Sequence, residues 1–270
     1  MNMDVAARHL AIMRQVRRGQ LWRTTLLAGV LAVVVLSLWY GEFFDLQRLS
    51  KGIPAVLQVI FREGFPPDFS RLNTWLYPLL DTVAMSIAGT GLAVLLSFLL
   101  CFLAARNTTP HPVLYWLARL FLNLVRSVPE LIMGIILLAA VGLGILPGIL
   151  ALALHSVGML GKFFAEAIEH ADLAPVEAVQ ACGGRPLQVF FHGILPQVLP
   201  QLVDVSLYRW EFNFRASTVM GMVGCGGIGF QLMAALSLLE YRQVTALLII
   251  VLLCVSVVDG CGAFLRRKFK

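Results

Sequence analysis

Long apolar runs separated by short polar stretches set the pattern of this 270-residue chain. Residues 24–41 carry no charge and, with their flanks, just suffice to cross about 30 Å of hydrocarbon as a helix. Residues 42–78 then mix four acidic with four basic residues, and Gly52, Gly64, Pro66 and Pro67 interrupt them. That balanced stretch predicts an outer-side segment with short interfacial helices. The uncharged run at 82–105 is the clearest span, closed by Arg106, Pro110 and Pro112. Residues 131–161 also lack charge, which is too long for one straight crossing. Gly142, Gly144, Pro147 and Gly148 fall within them, so the pattern predicts two spans, 117–142 and 147–170, joined by a tight turn. A last span is predicted at 243–264.

One more crossing must lie before that last span, and two candidates overlap. Residues 197–218 carry Asp204, Arg209, Glu211 and Arg215, whereas 216–239 are uncharged but hold five glycines between 221 and 229. So many glycines make a poor straight helix. The favoured reading is a helix at 197–218 followed by an outer-side turn or re-entrant piece at 219–238. Either choice predicts six crossings, with both termini and the polar loop before residue 196 on the inner side.

Composition fixes the class. The chain is 59% hydrophobic and only 13% charged, with mean hydropathy +0.83, against about 25% charged residues in soluble domains. An all-α, polytopic membrane protein of about six helices follows. The net charge of +6 does not point to nucleic acid, because the basic residues cluster at the ends. Arg8, Arg14, Arg17, Arg18 and Arg23 form a basic tail over 1–23, and Arg266, Arg267, Lys268 and Lys270 another over 266–270. Such flanking clusters mark inner-side segments. Five scattered cysteines without a CxxC pair give neither a disulfide framework nor a zinc site.

The polar interruption at 177–196, EAVQACGGRPLQVFFHGILP, is the most specific feature. Pro175 opens a helix without losing a needed hydrogen bond, and Glu177 lies near its positive end. Gly183 and Gly184 permit reversal after a helix C-terminus, and Pro186 starts a second short helix whose apolar face is offered by residues 187–191. Leu195 and Pro196 return the chain to the membrane. A short helix-turn-helix beneath a bilayer suits insertion into a groove on a partner; the plain alternative is an ordinary amphipathic loop.

Glu177-Ala178, Gly183 six residues on and Leu195-Pro196 after twelve more resemble the coupling loop of type I ABC importer permeases. Tyr208-Arg-Trp-Glu-Phe-Asn-Phe-Arg215 and the following Thr218–Gly229 block narrow the resemblance to the phosphonate-transporter permease, as do Arg126–Leu131 and Gly161–Glu169. The likeness covers roughly 75–265. Val179 and Gly193 depart from the loop pattern, and Met220 and Cys225 stand where leucine and alanine are commoner.

The resemblance implies a non-catalytic permease subunit in a bacterial inner membrane, with a transmembrane domain over 79–265 and a coupling loop at 171–196. Two copies would form the pathway. Two ATPase subunits would dock on Glu177, Ala178, Gly183, Gly184, Arg185, Pro186, Leu195 and Pro196, and they, not this chain, would bind ATP and magnesium. A periplasmic binding protein would deliver a phosphonate-like oxyanion: phosphonate, phosphite or hypophosphite.

Charged groups inside spans are costly and mark candidate sites. Arg209, Glu211, Asn213, Arg215, Lys162 and Glu130 therefore become candidates for the translocation pathway. The alternative is that the arginines are neutralised by Asp204 and Glu211 and only lock helices together. Glu211 with Arg215, and Lys162 with Glu166, have the i,i+4 spacing of helix ion pairs, and a kinked helix with an Arg126–Glu130 pair is expected around Pro129. Gly224, Gly226, Gly227 and Gly229 lack the GK[ST] ending of a nucleotide loop; they allow close helix packing or a gate at the outer mouth. A permease for another small substrate, or a secondary transporter independent of any ATPase, remains the rival. The latter lacks the expected paired broken helices, and no hydrolase motif argues for an enzyme.

Overall fold

The computed structural model describes the backbone of residues 2–269 and the side chains from Gly19 to Lys268 except Leu21, Leu46 and Leu49. The side chains of Arg8, Arg14, Arg17 and Arg18, and all of Lys270, thus lie outside the described residues. Among the described residues every regular element is a helix. The chain divides into two compact units, 1–62 and 63–270.

In the first unit, helix α1 (Asn2–Tyr40) runs unbroken through both the basic tail and the first apolar run. The helix therefore starts well before residue 24, where the apolar signal begins. Residues 22–40 are exposed on every face, as suits a helix apolar all round and meant for lipid. Helix α2 (Leu46–Gln58) is strongly amphipathic and starts on Asp45, whose carboxylate accepts the N–H groups of Gln47 and Arg48 at 3.1 and 3.2 Å. This is ordinary N-capping, and Arg48 also pairs with Glu42. A π-helical turn, Val59–Glu63, follows.

The second unit contains α3 (Leu72–Ala104), α4 (Pro112–Ser127), α5 (Glu130–Val141), α6 (Ile145–Glu169), α7 (Leu173–Ala181), α8 (Pro186–Val189), α9 (Leu195–Met220), α10 (Gly227–Ser237) and α11 (Tyr241–Phe269). Among the described residues four helices are long and apolar enough to cross a membrane, and up to six spans result if each of two bent pairs counts as one. Ahead of α3, the N–H of Asp68 donates to the carbonyl of Arg242 at 3.1 Å, tying this loop to the start of α11. The Asp68 carboxylate accepts the N–H of Ser70 at 2.9 Å, which holds its carboxyl below the usual range.

Small residues build the centre. Thr82, Ser86, Thr90, Ala93, Ser97, Cys101 and Ala104, spaced by three or four, are the buried stripe of α3, and α6 is its main partner. A Cβ on Gly89 would lie 3.1 Å from Leu152 Cβ, and one on Gly158 2.8 Å from the Leu122 carbonyl. Lipid is as apolar as leucine, so helices in a bilayer gain by close backbone approach instead of by hydrophobic exclusion. Many large apolar residues accordingly point outward, among them Leu95, Leu99, Leu252 and Val257.

One expectation needs correction. Residues 117–142 do not form one continuous helix: α4 and α5 meet at a 90° bend across Val128-Pro129. Val128 before the proline takes an extended backbone (φ −83°, ψ 122°), as the proline ring demands of its predecessor, so the helix breaks where a kink was expected. Helix α3 begins at Leu72, inside the segment 42–78. Between α9 and α10 the chain bends by 59°, with Gly224 at φ 112° interrupting a π-helical turn, Gly221–Cys225.

Candidate functional site

The polar loop is a designed reversal. Asp172 caps α7 by accepting Ala174 N–H at 3.1 Å, and Pro175 sits in the first turn. At the other end Gly184 N–H reaches the Val179 carbonyl at 3.1 Å and Gly183 N–H the Gln180 carbonyl at 2.9 Å. This is the Schellman pattern, made possible by Gly183 at φ +79°. Arg185 N–H then donates to Gln188 Oε1 at 2.8 Å, and Pro186 opens α8. A π-helical turn, Phe190–Ile194, leads into α9. Val179 is thus used through its backbone. Gly193 faces the Val176 backbone, where a Cβ would stand 3.2 Å from Val176 Cα, so its lack of a side chain brings α7 close.

Two adjacent aromatics divide the loop's work. Phe190 is buried, its ring centroid 4.4 Å from that of Phe102 and 6.3 Å from Phe98 on α3, whereas Phe191 is exposed. A cavity of about 450 Å³ lies beside them, lined by Phe102, Asn107 and Leu173 among others. Glu177, Ala178, Arg185, Pro186 and Pro196 are exposed, Gly183 likewise, and Gly184 and Leu195 are half-buried. Glu177 makes no side-chain hydrogen bond or ion pair among the described residues. The loop therefore presents an unpaired carboxylate and an apolar edge while Phe190 pegs it into the bundle.

A second cluster is buried between α3, α5, α6 and α9. Arg209, 3% exposed, donates from Nε to Ser156 Oγ at 2.8 Å, and its Nη2 faces Glu130 Oε2 at 3.7 Å. Asn213 Nδ2 donates to Thr90 Oγ1 at 2.9 Å and to Ser156 Oγ at 3.0 Å. Phe212 lies under the guanidinium at 4.4 Å. Thr90 and Ser156 carry no charge and so escaped the search for ionisable groups; their place on the small-residue faces of α3 and α6 was their available signal.

The other candidates separate. Glu211 does not pair with Arg215. A helix carries both on one face, but α11 approaches that face and supplies stronger partners: Arg215 Nη2 donates to both Asp259 oxygens at 2.6 Å, and Arg266 meets Glu211 at 2.7 Å and Asp204 at 3.9 Å. Gly262 leaves room for the Glu211 carboxylate, which a Cβ there would overlap. Lys162 and Glu166 approach to 3.7 Å. Arg126 and Glu130 are not an ion pair, because the broken backbone at Pro129 turns Glu130 toward Arg209. Gly229 abuts the Thr218 carbonyl and Gly227 the Thr82 hydroxyl, while Gly224 and Gly226 take positive φ. Gly229 thus packs against backbone, whereas Gly224 and Gly226 face the side chains of Leu138, Leu143 and Ile145. Among the described residues no group of three or more His, Cys, Asp or Glu could hold a metal.

A bundle of small-faced spans, a short helix pair outside them and a buried arginine describe a membrane transport subunit. Residues 97–270 match the family described as the binding-protein-dependent transport system inner membrane component, and the chain belongs to that family. It is 57% identical over 243 residues to the phosphite transport system permease protein PtxC of Stutzerimonas stutzeri, covering 90% of this chain and 88% of that one. It is 40% identical to the putative phosphite transport system permease protein HtxC of the same organism, covering 87% and 84%. Its fold matches a chain of the inward-facing MetNI methionine ABC transporter with a TM-score of 0.67 at 18% identity, over 75% of this chain and 99% of that chain.

Proposed function

We propose that this chain is the permease subunit of an ATP-driven importer for phosphorus oxyanions of the phosphite and phosphonate class, residing in a bacterial inner membrane with both termini cytoplasmic. The observation that carries the substrate class is the 57% identity to a phosphite permease along nearly the whole chain. Coupling rests on the loop: α7 and α8 expose Glu177, Ala178, Gly183, Arg185 and Pro186 to a cytoplasmic ATPase, and buried Phe190 passes its movement to α3. This chain catalyses nothing; ATP and magnesium bind to two partner ATPase subunits, and a periplasmic binding protein delivers the anion.

A second copy completes the pathway. Tyr208, Phe212, Arg215 and Val219 form an exposed stripe at helical spacing on α9, the helix that also bears Arg209. A face of that kind on a central helix suits a two-fold partner presenting the same face. Within each copy Arg209, Asn213 and Glu130 line the route, while Glu211 and Arg215 hold α9 to α11 and Lys162 braces α6.

The test is uptake of labelled phosphite, with phosphate and methylphosphonate as competitors, by cells carrying the complete system. Glu177→Ala and Gly183→Val are expected to lose ATPase copurification and uptake together. Full retention of both would sink the coupling assignment, and uptake insensitive to loss of the ATPase would favour a secondary transporter.

A further inference from the structure

The four ion pairs of α9 differ in geometry and burial, and Arg266 reaches Asp204 only at 3.9 Å. Arg215–Asp259 closes to 2.6 Å as a charge-assisted hydrogen bond, and Arg266 approaches Glu211 Oε1 to 2.7 Å without hydrogen-bond alignment. Arg209 and Glu130 stay at 3.7 Å, and both Arg209 Nη2 and Glu130 Oε2 are buried without a hydrogen-bond partner. Arg209 Nη1 has only the Met159 sulfur, at 3.5 Å. A guanidinium carries five donors, and burying unused ones is costly. Other pairs are as open, Arg266–Asp204 and Arg119–Glu166 at 3.9 Å, but Arg209 alone among these cations is 3% exposed.

The surroundings hold the guanidinium in place without satisfying it. Ser156 fixes Nε, Asn213 holds Ser156, Thr90 holds Asn213, and Phe212 supports the flat face. Glu130, by contrast, is partly exposed and begins α5 just after the 90° break. His155 Nδ1 meets the Val128 carbonyl at 3.1 Å, so that break is tied to α6 by one hydrogen bond.

We infer that Arg209 is the binding group for a tetrahedral phosphorus oxyanion inside the membrane, and that Glu130 is its stand-in when the anion is absent. This rests on the oxyanion reading above. An arriving anion takes the free Nη1 and Nη2 donors, a geometry to which guanidinium is suited. Its charge repels the Glu130 carboxylate, which swings away on the α4–α5 break and carries α5 with it. Return of Glu130 then expels the anion. The competition keeps the site weak, as a transport site must be: favourable enough to enter, weak enough to leave.

The experiment is equilibrium binding of phosphite, phosphate and methylphosphonate to the purified permease–ATPase complex without binding protein. Glu130→Gln removes the competing charge and is expected to bind one of these anions roughly tenfold more tightly than wild type, equivalent to about 1.4 kcal/mol, while slowing uptake. Arg209→Gln is expected to abolish binding and Arg209→Lys to weaken it. If Arg209→Gln fails to assemble with the ATPase, Glu130→Gln against wild type decides alone. Unchanged or weaker binding by Glu130→Gln, retained binding by Arg209→Gln, or binding by no variant each overturns the inference. Should the complete transporter move none of the three anions, the substrate reading fails; should it move one that Glu130→Gln holds no more tightly, only this inference fails.

Discussion

Glu169, the last residue of α6, holds Arg119 of α4 through an Oε1–Nη2 hydrogen bond of 3.0 Å. The same oxygen accepts the backbone N–H of Arg106 at 2.9 Å, and Arg119 Nε donates to the Ala104 carbonyl at 2.8 Å. One carboxylate thus gathers the ends of α3 and α6 and the middle of α4 where the chain leaves for the polar loop. Both side chains are mostly buried, so removing the acid leaves Arg119 with only the more distant Glu166, at 3.9 Å. Glu169→Ala is expected to cost about 1.5–3 kcal/mol, the range for hydrogen bonds to charged groups, seen as a melting temperature in detergent lower by several degrees. Glu169→Gln, which keeps an acceptor, should lose less; equal losses would show that the acceptor geometry contributes nothing.

Phe190 and Phe191 are neighbours with opposite surroundings, and their truncations should differ in kind. Phe190→Ala empties a site packed against Phe98 and Phe102 and is expected to cost about 3–5 kcal/mol, with poor recovery of folded protein. Phe191→Ala removes an exposed ring, so the melting temperature should hold while ATPase copurification falls. Reversal of that order would move the peg from Phe190 to Phe191.

The sequence revealed the helices that are long and uncharged, because a span's length and hydropathy are local properties. It revealed the loop too, where Gly183 and Pro186 each dictate a backbone conformation by themselves. It did not reveal the break at Pro129, since an apolar run on both sides of a proline reads equally as a kink. Nor did it reveal which acid answers which base. Asp259 and Arg266 lie on α11, more than forty residues from their partners, and Glu211–Arg215 looked complete by spacing alone. In a bundle, the approach of a third helix decides such pairings, and only tertiary packing carries that information.

Gly260 and Gly262 on α11 make a controlled pair. No atom lies within 4 Å of a Cβ built on Gly260, whereas one on Gly262 would overlap the Glu211 carboxylate. Gly262→Ala must push Glu211 off Arg266 or α11 off α9, and overpacking of this kind typically costs about 1–3 kcal/mol. Gly260→Ala should leave the melting temperature unchanged or raised, because alanine is the better helix former by about 1 kcal/mol. The comparison is read by thermal unfolding of the two variants beside the parent; a larger loss at Gly260 would mean that another surface covers that face.

Exchanging the charges of Arg215 and Asp259 tests whether this pair belongs to the transport route or to the scaffold. Each side chain is more than 40% exposed, and exposed pairs contribute about 0–1 kcal/mol in water, but their two-oxygen contact at 2.6 Å joins α9 to α11. Arg215→Asp alone places two carboxylates side by side and should depress both folded yield and phosphite uptake. The double variant Arg215→Asp with Asp259→Arg restores the attraction with its polarity reversed. If the pair is scaffold, yield and uptake should both return to at least half of the parent's, roughly the loss that 0.4 kcal/mol represents. If instead Arg215 draws the anion, the double variant will fold and assemble with its ATPase yet transport poorly, and the division of labour between Arg209 and Arg215 would have to be redrawn.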